Sequence, residues 1–268
     1  MVTANLTPHR DSDVTETTAS TRVDLHVKVL SDEVVACAKA RGIDVIVYAP
    51  HFTRFDEIRS RAAQFSDEEL LVIPAREIFT GSWQTRRHIL AIGLDQPVPD
   101  FISLTGALDA LDRQDAATLI PHPEFMNVSC SESDIQAHAD AIDAVEVYNF
   151  KSPGWANTRG ISLIAETNHH SFGSSYAHLP GSVGRVWTAF DCAINSEADL
   201  VEALKSGVSR RVYHERGLMY TAHELAEFAH LIYENSWKKL DRLFLSGMEP
   251  THPQHIAYNG QYDDVAEY

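Results

Sequence analysis

The chain has 268 residues, of which 44% are hydrophobic, enough for one large domain with a substantial core. Its formal net charge is -16, from 38 acidic and 22 basic side chains. That argues against a broad basic surface tracking long nucleic acid, and leaves a local basic pocket open. Cys37, Cys130 and Cys192 are widely spaced and form no CxxC pair, which argues against a disulfide framework or a thiolate zinc site.

Only six of the 22 basic residues are lysine. An acidic, lysine-poor composition is expected of a cytosolic protein from a high-salt organism. No apolar run approaches the roughly 20 residues that span a bilayer. The first residues lack the charged, apolar and small-residue order of a signal peptide. The expectation is therefore a cytoplasmic, halophilic protein with no membrane partner.

Residues 1–20 are rich in Thr, Ser and Asp without periodicity, and read as a disordered tail. From there, strand-like runs at 22–27, 43–48, 71–76, 88–94, 117–121, 144–148, 161–165 and 185–189 alternate with helix-like stretches at 32–41, 54–65, 103–114, 131–141 and 197–206. Ser31-Asp32 and Ser66-Asp67 read as helix starts and Arg41-Gly42 as a helix stop. The alternation predicts βαβ units, a parallel sheet and a barrel over 21–215. No GxGxxG follows the first strand and no P-loop is present.

Beyond residue 216 the pattern changes. Leu225, Phe228, Ala229, Ile232, Ser236, Leu240 and Leu243 lie at helical spacing, so 216–268 is expected to be a helical C-terminal extension packed on the barrel. Its last turn-rich stretch is expected to pack back through Ile256, Tyr258 and Tyr262.

The strand-like runs share one feature. Several end on, or just before, a metal-ligand type of residue: His26 in VDLHVK, His51 after VIVYAP, Glu77 after LLVIPAR, and His122 after ATLIP. His88 opens a further strand-like run and His178 closes SFGSSYAH. In barrels the strand ends converge on one face, where chemistry sits. Divalent cations need clustered lone pairs from neutral imidazole and carboxylate. Glu77, a carboxylate directly after an apolar run, is costly to bury without a cation beside it.

In motif order, the chain resembles the PHP (polymerase and histidinol phosphatase) superfamily over roughly residues 22–190. Asp24-Leu25-His26-Val27-Lys28 with Ser31-Asp32 is similar to its first motif, DLHxHTxxSD. Ala49-Pro50-His51 stands where the family has TDH, and Glu77 with His88 resembles the third motif. Pro121-His122-Pro123 resembles AHP, Glu146-Val147-Tyr148-Asn149 resembles EVYN, and Ser175-Tyr176-Ala177-His178 followed by Gly184 resembles SDAH…G.

The resemblance implies a distorted (β/α)7 TIM-like barrel and a phosphoesterase using divalent metals, commonly Mn, Zn or Fe. It implies that Glu77, His88 and His122 hold one ion. His51, His178 and an acid from the first motif, Asp32 or Glu33 with Asp32 preferred, would hold a second. His26 belongs to the remaining family site, but its companions there are Lys28 and Tyr176, where the family has His and Asp. Lysine offers donors and no lone pair, so Lys28 is expected to stand beside Glu77 in place of an ion, with Tyr176 filling the Asp position. Two ions are therefore expected. An alternative register would use Asn168, His169 and His170 instead of the motif ending at His178.

The implied activity is hydrolysis of a small phosphate ester or nucleotide, a 3′,5′-nucleotide bisphosphate or the 5′ end of a short oligonucleotide among the candidates, by metal-activated water. Lys28 is expected to stabilise a phosphoryl oxygen. Arg76, with Arg54, Arg86, Arg87 and Arg185 as further candidates, is expected to clamp phosphate, and Trp83 to stack a base or cover the mouth. A different class stays open: a catalytically impaired PHP-like barrel serving as a binding or regulatory protein, or as a subunit of an RNA-processing complex.

Overall fold

The computed structural model describes residues 6–8, 20–82, 84–124, 129–150, 154–215 and 250–267. Trp83 and the apolar stripe from Leu225 to Leu243 lie outside the described residues. The strands are β1 (Leu6–Pro8), β2 (Thr21–Val27), β3 (Val45–Tyr48), β4 (Leu71–Thr80), β5 (Arg87–Ile92), β6 (Ala117–Ile120), β7 (Ala144–Asn149), β8 (His170–Ser174), β9 (Val186–Phe190) and β10 (Arg210–His214). The helices are α1 (Asp32–Ala40), α2 (Phe55–Phe65), α3 (Leu104–Asp112), α4 (Glu132–Ala137), α5 (Gly154–Thr167) and α6 (Glu197–Lys205). The short β1, inside the expected tail, pairs with β10.

Local chemistry starts several helices, at Ser31 as the sequence predicts. The Ser31 side chain accepts a hydrogen bond from Val34 N, Ser103 from Gly106 N and Ser196 from Asp199 N, while Ser131 and Asp134 form a reciprocal capping box. Gly42, at φ 64°, follows α1 as a left-handed stop. Ser66-Asp67 is different. Ser66 ends α2, and Asp67 accepts from Glu69 N and Leu70 N in a turn that leads into β4, so no helix starts there.

All ten strands form one mixed sheet in the order β1-β10-β9-β2-β3-β4-β5-β6-β7-β8. The pairs β2–β3, β3–β4, β6–β7 and β7–β8 are parallel, whereas β5 is antiparallel to both neighbours and β9 is antiparallel to β2 and β10. The expected wholly parallel sheet is thus corrected to a mixed one, because β4 and β5 are joined by a hairpin. The sheet curls until it nearly closes: Val27 bridges Ala177 beyond β8, and Thr188 on β9 hydrogen-bonds Gly173 on β8.

The predicted strand at 161–165 lies inside α5, and the strand forms at 170–174 instead. Its β-branched residues mimic a strand pattern, yet Gly160 lets the helix approach β7 so closely that a Cβ would lie 2.8 Å from the Glu146 carbonyl oxygen. That docking buries Leu163 and Ile164 against Val145 and Val147.

Strand alternation sorts the side chains into layers. Val23, Leu25, Val45, Val47, Ile73, Ala75, Leu90, Leu119 and Phe172 form an inner cluster, which Leu200, Ala203 and Leu204 of α6 join at one end. An outer cluster packs α1, α2 and α3 on the sheet, with Val34, Ile58 and Leu108 among its members. The final segment lies on this outer layer: Thr251 O accepts from Asp100 N, and Val265 O from Ser103 N. Tyr258 and Tyr262 are buried as expected, but Ile256 is 82% exposed, so the packing-back uses only the two tyrosines of that trio.

Candidate metal centre at the barrel mouth

Glu77 is the hub. On β4 the inner cluster takes Ile73 and Ala75, and the same alternation carries Glu77 into the barrel with no exposed surface. His88 enters from β5. Because β5 runs antiparallel, the start of this strand lies at the end where β4 finishes, and Phe79 pairs with His88 in register. His122 follows β6, and His51 follows β3. His26 lies on β2 and Lys28 directly after it, and the β2 register slips between Asp24 and Val27. The slip matters: Val23 and Leu25 belong to the inner cluster but Val27 to the outer one, so the bulge re-aims His26 toward Glu77.

The two carboxylate oxygens of Glu77 meet different company. Oε1 lies 3.2 Å from His122 Nε2, 3.4 Å from His88 Nδ1 and 3.7 Å from His26 Nε2. Oε2 lies 2.6 Å from Lys28 Nζ and 2.6 Å from His51 Nε2. Lys28 Nζ also donates to Ala49 O at 2.6 Å. One ligand atom each from Glu77, His88 and His122 fall within 4.8 Å of one another, and all three residues are buried.

Burial alone would raise the Glu77 pKa. The charges around it, Lys28 foremost, outweigh that and hold the carboxyl well below its usual range. Burial, reinforced by Lys28, pushes His26 well below the ordinary imidazole value, and burial takes His88 down to about 3. At Glu77, His26 and His88 the centre therefore presents a carboxylate and neutral imidazoles, the donor forms a divalent cation requires. Neither ring nitrogen of His26 or of His88 makes a hydrogen bond, although all four atoms are buried. Such orphaned polar atoms cost free energy unless something else engages them, and each neutral ring has one lone pair to offer, so the residues fit a cation.

A supporting shell holds the ligands in place. His122 Nδ1 meets Ser129 Oγ at 2.9 Å, and the His122 backbone N–H donates to Glu146 Oε2 at 2.7 Å. Glu146 also accepts from Ser174 Oγ and from Asn149 Nδ2. The Asp24 carboxylate accepts from Ser175 N at 2.9 Å and Gly184 N at 2.8 Å, tying both sides of the Tyr176–His178 segment to β2. Gly184 is needed there: its φ is 73°, and a Cβ would lie 2.7 Å from Ile43. Backbone strain collects at the mouth, with His122 at φ 33°, Tyr176 at φ 47° and Phe52, next to His51, at φ 50°.

Asp24, Glu146 and Ser129 received no role from the sequence. An acid inside an apolar strand, as in VDL and AVEVY, was the available signal for the first two. None was available for Ser129.

The other expected residues divide. Tyr176 is buried with its ring 4.7 Å from that of His26 and 5.1 Å from that of His122, and Lys28 Nζ stands 5.6 Å from its centroid. His178 packs edge-on against Tyr176 and 5.6 Å from the His51 ring. Asp32 and Glu33 are exposed in the first turn of α1 and do not belong to the Glu77–His88–His122 group. The alternative register is displaced as well, because His169 and His170 lie at the start of β8, away from its mouth end.

The arginines are mostly committed elsewhere. Arg76 sits on the opposite face of β4 from Glu77, buried, donating to Thr53 O at 2.8 Å and Asp100 Oδ1 at 3.0 Å, which corrects its expected role as a phosphate clamp. Arg54 pairs with Asp56, Arg87 with Asp134 and Arg185 with Glu215. Arg86 is buried in the β4–β5 connection, where burial lowers its pKa.

Comparison with known proteins agrees with this architecture. Residues 154–209, from α5 to β9 and beyond, match the PHP-associated family. The fold is similar to that of PsfC from Pseudomonas syringae, with a TM-score of 0.59 and 17% identity over 81% of this chain and 98% of that one. It is similar to a two-domain protein from Bacteroides vulgatus containing a predicted PHP-like metal-dependent phosphoesterase, at TM-score 0.55 and 18% identity over 77% of this chain and 69% of that one. It also resembles the lesion-specific endonuclease PfuEndoQ from Pyrococcus furiosus, at TM-score 0.54 and 16% identity over 72% of this chain and 57% of that one. A search of curated protein sequences finds no match. Among the described residues, no helix is long and apolar enough to cross a membrane.

Proposed function

For a chain with the PHP-superfamily fold and this mouth, we propose a metal-dependent phosphoesterase acting on a small phosphate ester or nucleotide. One observation carries it: the buried Glu77–His88–His122 group, whose ligand atoms lie within 4.8 Å of one another and whose His88 nitrogens have no hydrogen-bond partner. The two fold neighbours described as a phosphoesterase and an endonuclease support phosphoester chemistry as the class.

A divalent cation held by these three residues supplies Lewis-acid polarisation of a phosphoryl oxygen and an activated water. The chain's own groups do the rest. Lys28 keeps a fixed ammonium at the carboxylate, facing the anionic substrate. Phe79, stacked on His88 with ring centroids 4.0 Å apart, and Tyr176, beside His26 and His122, shield the ligands from bulk water. The net charge of -16 favours small substrates over long nucleic acid.

The test is a phosphatase panel with Mn, Zn and Fe, including nucleotide bisphosphates and short RNA, run at high and low salt. Metal-dependent turnover is expected, and His122→Ala should lower it by about a thousand-fold or more, as expected for loss of a group on which transition-state stabilisation depends. Unchanged turnover in that variant would refute the scheme. A metal-loaded protein without turnover on any substrate would favour a binding or regulatory barrel, a reading to which the ammonium already seated on Glu77 lends some weight.

A further inference from the structure

We infer that this mouth is a single-cation centre in which the Lys28 ammonium permanently holds the position of a second ion. The inference rests on the metal reading above and adds the stoichiometry and the reason for it.

The asymmetry of Glu77 carries the argument. Each carboxylate oxygen has two lone-pair directions. At Oε2, the Lys28 ammonium donates a hydrogen bond at 2.6 Å, with His51 Nε2 also 2.6 Å away. At Oε1 the neighbours are imidazole nitrogens at 3.2–3.7 Å, of which His122 Nε2 hydrogen-bonds the oxygen, and they are close enough to converge on a shared ion. On the Oε1 side three imidazoles gather, and both ring nitrogens of His26 and of His88 make no hydrogen bond.

The ammonium is also fixed in place. The Lys28 side chain is 4% exposed, Nζ donates to Ala49 O as well as to Glu77, and the lysine backbone N–H donates to Ala177 O across the barrel seam. Swinging Nζ away would strand a buried carboxylate oxygen and a buried carbonyl. A second divalent ion at Oε2 would have to displace a resident positive charge, or sit beside it with like-charge repulsion in a water-poor site. The nearby acids do not relieve this. Asp32 and Glu33 are exposed on α1, and Asp24 and Glu146 spend their oxygens on backbone and hydroxyl donors. To an anionic substrate, the ammonium then supplies part of the positive charge that a second metal would bring.

The experiment counts metal per chain on the full protein loaded with Mn or Zn, by native mass spectrometry and elemental analysis, with electron paramagnetic resonance of the Mn form. The wild type is expected to bind one ion and to give the spectrum of isolated Mn. Lys28→His removes the charge and adds a lone pair at the same position, and should raise the count to two, with exchange coupling between the Mn ions. Lys28→Gln, which removes the charge without adding an imidazole, provides a second variant should the first fold poorly, and is expected to take up a second ion more weakly. Two or more ions in the wild type would overturn the inference and leave the phosphoesterase reading standing. So would a count of one in both folded variants. No ion in the wild type would remove the metal reading itself.

Discussion

Glu77 and Arg76 are adjacent on β4, and alternation sends one into the barrel and the other into the outer layer. Each is a buried charge with a buried partner of opposite sign. The Arg76–Asp100 pair is close to complete: Arg76 also donates to Thr53 O, Asp100 Oδ1 also accepts from Phe79 N, and one atom, Asp100 Oδ2, is left without a partner. Around Glu77 and Lys28, four ring nitrogens of His26 and His88 alone are left without one. A buried charge that the fold satisfies belongs to the architecture. A buried charge ringed by unsatisfied imidazoles is waiting for something the chain does not contain.

The largest effect that would break this comparison is on stability. Arg76→Ala strands Asp100 in the outer layer and should cost about 3–5 kcal/mol, the usual penalty for unpairing a buried ion. Denaturant unfolding measures this. Metal stoichiometry should be unchanged in the folded fraction, and loss of metal binding would mean that the two faces of β4 are not separable.

Acid should act on the inner face. His88 has its pKa lowered from 6.5 to about 3 by burial, so the unfolded chain takes up a proton here more readily than the folded one. Its contribution to stability is fully present above pH 6.5 and is lost progressively as pH falls toward 3. Thermal melts of the metal-free protein should show Tm falling over that window, and His88→Phe should flatten the slope. An unchanged slope would place the acid sensitivity elsewhere.

The smallest expected effect sharpens the role of the supporting shell. Ser129→Ala removes the partner of His122 Nδ1 and should weaken metal affinity by about 10–100-fold, with a stability change of about 1 kcal/mol. Isothermal titration with Zn measures the first and denaturant unfolding the second. Equal affinity in the variant would show that the hydroxyl does not orient the ring.

The ligand types and their order along the chain were legible without coordinates. Short apolar runs set beside His26, His51, Glu77, His88, His122 and His178 announce a mouth, because a carboxylate and imidazoles repeated at strand ends are costly unless they converge. The Ser31 cap was legible too, since capping is a contact within one turn. Even the Lys28–Glu77 pairing was implied by the family resemblance, which puts the lysine at a ligand position, and the structure sets the two 2.6 Å apart.

Long-range contacts decided the rest. Residues 161–165 look like a strand, and became helix because Gly160 admits close docking on β7. The antiparallel course of β5, which delivers His88 from a strand start, comes from a hairpin that the alternation pattern does not reveal. Arg76 and Glu77 are one residue apart in the sequence, and only the curl of the sheet says which faces the cavity. The bulge in β2 likewise breaks the period-two pattern on which a strand assignment depends. Periodicity and capping report what a residue prefers among near neighbours. Which face of a strand becomes an interior, and which partners a buried charge finds there, is settled only when distant segments close around it.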